Sequence, residues 1–153
     1  MLYLAALLIG IIAGLRAMTA PAVVAWGAYL GWLKLAGTPL AFVGHIAAVA
    51  LFTVAALGEL VTDQLPKTPS RKVPVQFGTR IVTGAFSGAA IGASGGALVA
   101  GLVAGAVGAV IGTLGGAEAR SRLAKAFGKD PPAAILEDIV AIGGGLAVVA
   151  LLA

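Results

Sequence analysis

Apolar residues run through this chain in long blocks, and the polar residues between them are clustered. A bilayer crossing needs about 20 apolar residues at about 1.5 Å each, so the blocks predict about five membrane segments. The first, residues 2–33, is too long for one straight crossing. It is interrupted at Ala13-Gly14-Leu15-Arg16-Ala17-Met18-Thr19-Ala20-Pro21, where a charge and a hydroxyl enter the apolar run. Gly14 and Pro21 divide it into two helical pieces. Pro21 suits the first turn of the second piece, and Thr19 or Ala20 would cap it. Trp26, Tyr29 and Trp32 come next at helical spacing, as in an interfacial aromatic belt.

The second segment, 39–61, is apolar except for His45, Thr53 and Glu59. Gln64 to Thr79 reads as a loop, because it holds three prolines together with Lys67, Arg71 and Lys72. From Arg80 to Gly116 the chain is almost wholly Ala, Gly, Val, Ile and Leu. Gly84, Gly88, Gly92 and Gly96 recur every fourth residue, as do Gly101 and Gly105, then Gly108, Gly112 and Gly116. That spacing places small residues on one helix face, where backbones approach closely. It predicts a glycine-zipper hairpin of segments 79–94 and 97–116, turning at Gly95-Gly96, with close packing inside one chain or in a homo-oligomer. Glu118 to Asp130 predicts a short amphipathic helix at the surface, stopped by Asp130-Pro131-Pro132. The last segment is 133–152. The expected fold is all-α: one transmembrane domain over 1–153, a polytopic helix bundle with a broken first segment. The similar runs AALGELV and AAILEDIV hint at an internal repeat, but their flanks do not match.

Composition agrees with burial in lipid. Of the 153 residues 60% are hydrophobic and 10% charged, and mean hydropathy is +1.07. A water-soluble domain carries about a quarter charged residues. The net charge of +4 comes from clustered bases, which bear on topology rather than nucleic acid, since no basic face with interleaved aromatics is present. The positive-inside rule puts loops 64–80 and 118–130 in the cytoplasm, for a multi-pass protein of the cell inner membrane. With five crossings the amino terminus would be inside and the carboxyl terminus outside. Leu2–Ala13 lacks the basic start of a signal peptide and is expected to be retained. Cysteine is absent, which excludes disulfide and thiolate chemistry.

Candidate chemistry is sparse. Arg16, about 20 Å along its helix, would sit past the bilayer middle, where an arginine costs roughly 2.5–3.5 kcal/mol on insertion scales. With Thr19 and the dipole of the next helix piece it would attract an anionic group, as at the broken helices of transporters. His45, at a similar depth, would line the same cavity or serve as a packing histidine. Glu59, Asp63, Glu137 and Asp138 fall near the cytoplasmic helix ends. They would form an acidic mouth, a divalent-cation site, or salt bridges to neighbouring bases. Lys67, Arg71, Lys72, Arg80, Arg120 and Arg122 would hold lipid headgroups. No phosphate loop and no nucleophile–base pairing is visible, so no enzyme and no cofactor is expected. A metal enzyme using Glu59 and Asp63 is the remaining alternative.

The runs Gly14–Pro21, then Gly58–Asp63 with Pro66, Pro69 and Arg71, then Leu136–Gly143, resemble a family of small bacterial membrane proteins classed as a domain of unknown function. The resemblance covers nearly the whole chain. It implies an integral membrane protein, and no activity or site residues. The function these features predict is a channel or carrier for a small ion or anionic solute, with a site at Arg16, Thr19 and His45. The alternative is a non-transporting lipid-binding or scaffold protein. The transport reading requires a wet cavity at Arg16. An Arg16 locked to internal acids in a dry interior argues against it.

Overall fold

The computed structural model describes residues 1–62, 74–128 and 130–153, and these form six α-helices and a short 3-10 turn. The helices are α1 (Leu2–Leu15), α2 (Thr19–Tyr29), α3 (Ile46–Thr62), α4 (Pro74–Ser94), α5 (Leu98–Phe127) and α6 (Asp130–Ala150). They run alternately up and down. Leu2 packs beside Gly95, and Ala13 beside Gly84, so α1 is antiparallel to α4. Ile12 lies against Gly144 while Arg16 meets Asp138, so α6 is antiparallel to α1. Trp26 reaches Thr53, and Ala17 meets Glu59, so α3 descends along α2. The start of α1 and the end of α6 therefore lie at the same end as the Gly95-Gly96 turn. The expected placement of the two chain ends on opposite sides is corrected by this even number of helices.

The tightest packing joins α1, α4 and α5. A Cβ added at Gly10, Gly88 or Gly105 would land well under 3.0 Å from backbone atoms of the facing helix. Gly10 and Gly14 continue on α1 the four-residue spacing that α4 and α5 show. The opposite face of α5 presents Val99, Val103, Val107 and Ile111, all exposed. Small residues thus face in and β-branched residues face out. The three helices can touch backbone to backbone, where dispersion and weak Cα–H contacts act at short range.

Several boundaries differ from expectation. The second segment, expected from residue 39, becomes helical at Ile46. Thr38 turns the chain first, donating to Leu35 O at 2.7 Å and accepting from Leu40 N at 3.2 Å. Pro74, expected in a loop, opens α4, where its missing N–H costs nothing. The expected surface helix at 118–130 is the continuation of α5. Ala, Glu, Arg and Leu carry the helix past Gly115-Gly116, and it ends at Gly128, whose φ of 75° is the left-handed cap. Asp130-Pro131-Pro132 starts α6 instead of stopping the helix before it.

Two described helices, Leu98–Phe127 and Pro132–Ala150, are long and apolar enough to cross a membrane. Leu2–Leu15 and Ile46–Thr62 are apolar but shorter. Of the about five membrane segments expected from hydropathy, these two meet the length and composition of a full crossing among the described residues. The first expected segment is divided between α1 and α2 at its break.

Packing density makes the glycines unequal. Gly105→Ala should lower thermal stability in detergent by more than the about 1–3 kcal/mol typical of overpacking, because rigid backbone opposes the new methyl. Gly143, on α6 with nothing within 4 Å of an added Cβ, should tolerate Ala and gain up to about 1 kcal/mol of helix propensity. Equal effects at the two positions, read by thermal unfolding, would contradict this packing.

Candidate functional site

The break between α1 and α2 leaves backbone groups without helical partners, and five charged side chains converge on it. The last turn of α1 ends at Arg16, whose backbone is extended (φ −141°, ψ 109°). Met18 precedes α2 and offers no side-chain cap, and neither Thr19 nor Ala20 occupies the cap position. The cap comes from another helix. Glu59, near the end of α3, accepts from Ala17 N at 2.7 Å through Oε1 and from Met18 N at 2.6 Å through Oε2. A carboxylate at a helix N-terminus is favoured by the unpaired N–H groups and by the dipole.

Arg80 serves the other side of the break. It is buried on α4 and donates from Nη1 to Gly14 O at 2.9 Å, an acceptor at the end of α1. Its Nη2 stands 3.8 Å from Glu59 Oε1. Arg80 therefore links a free carbonyl of one helix to the carboxylate that caps the next. The expected headgroup role for Arg80 is corrected by this burial. A sequence signal for it existed: Arg80 continues the line Gly84, Gly88, Gly92 backwards by four, and so lies on the inward face of α4.

Arg16 itself is fully buried and turned towards α6. Asp138 Oδ1 lies 2.5 Å from both Nε and Nη2 of Arg16, and Glu137 Oε1 lies 3.2 Å from Nη1. Side-chain exposure is 0% for Arg16, 6% for Glu137 and 18% for Asp138. Glu59 retains 13%. Two guanidiniums and three carboxylates thus form one layer across α1, α3, α4 and α6. Burying such ions is costly, and the multiple charge-assisted hydrogen bonds offset that cost.

The other candidates are elsewhere. His45 is exposed at the opposite end of α3 from Glu59, and its Nδ1 accepts from Ala47 N at 3.1 Å. It caps α3 at the surface, so the structure separates it from Arg16, with which it was expected to share a cavity. Thr19 is buried and lines an apolar groove of about 200 Å³ between α2, α3 and α6. Arg16 does not line that groove. Of the expected acidic cluster, Glu59 is taken up by the amides of Ala17 and Met18 and by Arg80, while Glu137 and Asp138 are taken up by Arg16. Among the described residues no group of three or more acidic or histidine side chains is arranged to hold a metal ion. Asp63, Lys67, Arg71 and Lys72 lie outside the described residues. Arg122 is exposed and pairs with Glu118 at 2.9 Å, one turn away on α5.

No protein-family model, no curated protein and no solved structure matches this chain. The chemistry of the site therefore rests on its geometry. The described cluster holds its own counter-ions and ties four helices together where α1 turns into α2.

Breaking one side of this layer should be costly. Arg16→Met leaves Glu137 and Asp138 without their shared cation, and should destabilise the fold by about 3–5 kcal/mol. Adding Glu137→Gln and Asp138→Asn to Arg16→Met should recover much of that loss. Thermal unfolding of the single and triple variants in detergent measures the difference. A triple variant no more stable than the single one would show that the ions are not coupled.

Proposed function

We propose that this is an integral membrane protein that does not transport, and that it holds anionic lipid headgroups at one end of its bundle. The carrying observation is the state of Arg16. It is wholly buried and bonded to internal acids, so no solute reaches it, and the backbone donors beside it already hold Glu59.

The height of the apolar layer supports a membrane setting. From the ionic layer to the Gly95-Gly96 end, α5 rises from residue 113 to 98, about 22 Å; from residue 113 down to the charge at Glu118 is about 8 Å more. The sum is the about 30 Å of a bilayer core. Large exposed apolar side chains such as Leu51, Val54, Val103, Ile111 and Ile139 clothe this layer. α3 ends and α4 begins at the ionic-layer end, where the lower half of α5 also lies. Arg120, Arg122 and Lys125 belong to that half of α5, and Lys67, Arg71 and Lys72 fall between α3 and α4 in the sequence. The positive-inside rule then makes that end cytoplasmic, in an inner membrane, facing the anionic leaflet surface. The resemblance to small bacterial membrane proteins, among which we place the chain as part of this proposal, implies the same setting.

A second reading, passage of a small anion, draws on one observation. Glu59 and Asp138 keep partial exposure, and the α2 N-terminus already binds a carboxylate. A solute carboxylate could take the place of Glu59 if α3 moved away.

The two readings separate experimentally. Native mass spectrometry from mixed phosphatidylglycerol and phosphatidylcholine should show selective retention of phosphatidylglycerol. That selectivity should fall at least several-fold on replacing Arg120, Arg122 and Lys125 with Gln. Proteoliposomes of the wild type and of Glu59→Gln should show no chloride or acetate flux above empty vesicles. Flux in either, with no lipid selectivity, would favour the second reading.

A further inference from the structure

We propose that the groove over α2 is a binding site for one acyl chain of a phospholipid. α2 is 11 residues long and turns Thr19, Ala22, Val23 and Trp26 to the side where α3 and α6 both pack on it without closing over it. The groove that results is about 200 Å³. Its floor is Ala22 and Val23, and its walls are Ala56 and Leu57 from α3 and Ile142 and Leu146 from α6. At its upper end Trp26 Nε1 donates to Thr53 Oγ1 at 2.9 Å, which satisfies the indole N–H. At its lower end Thr19 sits one step above the ionic layer.

Shape and position choose the occupant. From Thr19 to Trp26 the groove extends about 10 Å along the helix axis, within the apolar layer and parallel to the bilayer normal. A helix from a second copy has a diameter of about 10–12 Å with its side chains and does not enter a slot of this volume. A single hydrocarbon chain does. The lower end of the groove lies towards the end of the bundle at which α5 carries Arg120, Arg122 and Lys125. A lipid seated here has its headgroup on that side, where the charge favours an anionic one. The seating of the chain rests on the membrane setting proposed above, and the identity of the headgroup on the lipid preference proposed with it.

Trp26 provides the readout. In a Trp32→Phe background it is the sole tryptophan, and phosphatidylglycerol brominated at mid-chain should quench it. In mixed micelles with a few mole per cent of the brominated lipid, quenching should saturate. Ala56→Phe fills the groove and should convert the saturating curve to a linear one, with at least a several-fold loss of quenching at the lowest lipid fraction. Ala22→Leu fills it from the floor and serves if Ala56→Phe does not fold. Saturation that survives groove filling in a folded variant overturns the proposal, as does linear quenching in the unfilled protein. A concentration-dependent dimer abolished by Ala56→Phe, with no saturable quenching, would also overturn it and assign the groove to a second copy. Brominated phosphatidylcholine separates the two claims. Equal saturation by both lipids keeps the acyl site and removes the preference for an anionic headgroup.

Discussion

A pair of free helix ends inside an apolar bundle must find partners, and here they find charged ones. α1 stops at Leu15 with a carbonyl to satisfy, and α2 begins at Thr19 with amides to satisfy. No side chain within the turn caps either end. Arg80 from α4 takes the carbonyl of Gly14, and Glu59 from α3 takes the amides of Ala17 and Met18. Arg16, at the corner, ties to α6. Because each free group is matched by a different helix, the turn between α1 and α2 fixes the register of three others. In a low-dielectric interior an unmatched ion or amide is far more costly than in water, so the arrangement is specified strongly.

The glycine faces supply the complementary half of the design. α1, α4 and α5 approach so closely that side chains are nearly absent between them. Such packing gives little freedom to slide, since each added methyl would meet backbone. It also contains two buried hydroxyls, Ser87 Oγ and Thr113 Oγ1, that lack a hydrogen-bond partner among the described residues. The structure offers no account of why these are not Ala and Val. The packed trio forms a rigid half, and the ionic layer fastens α2, α3 and α6 to it.

For function, the assembled bundle shifts the emphasis away from the broken helix. A buried arginine beside a helix break reads as a solute site when the chain is considered one segment at a time. With all segments in place, the same arginine has two acids of its own, and the neighbouring anion position holds a carboxylate from α3. Two other features then carry the proposed function: the basic residues on the lower half of α5, and an uncovered apolar groove alongside the shortest described α-helix.

The sequence alone determined the properties that depend on neighbours within one or two turns. Helical class, apolar blocks, the break near Gly14–Pro21, the hairpin at Gly95-Gly96 and the inward glycine faces all stem from local composition and period. The break was legible because Arg16 and Pro21 violate the apolar pattern around them. Tertiary structure decided what those violations meet. Asp138 is 122 positions from Arg16, Arg80 is 66 from Gly14, and Glu59 is 42 from Ala17. Periodicity carries no information about pairing over such separations. It also gives no direction to a chain that turns back within one apolar run, which is why the up-and-down order of the helices waited for the fold. Short-range sterics set each helix, and the cost of leaving polar groups unmatched in an apolar interior set how the helices meet.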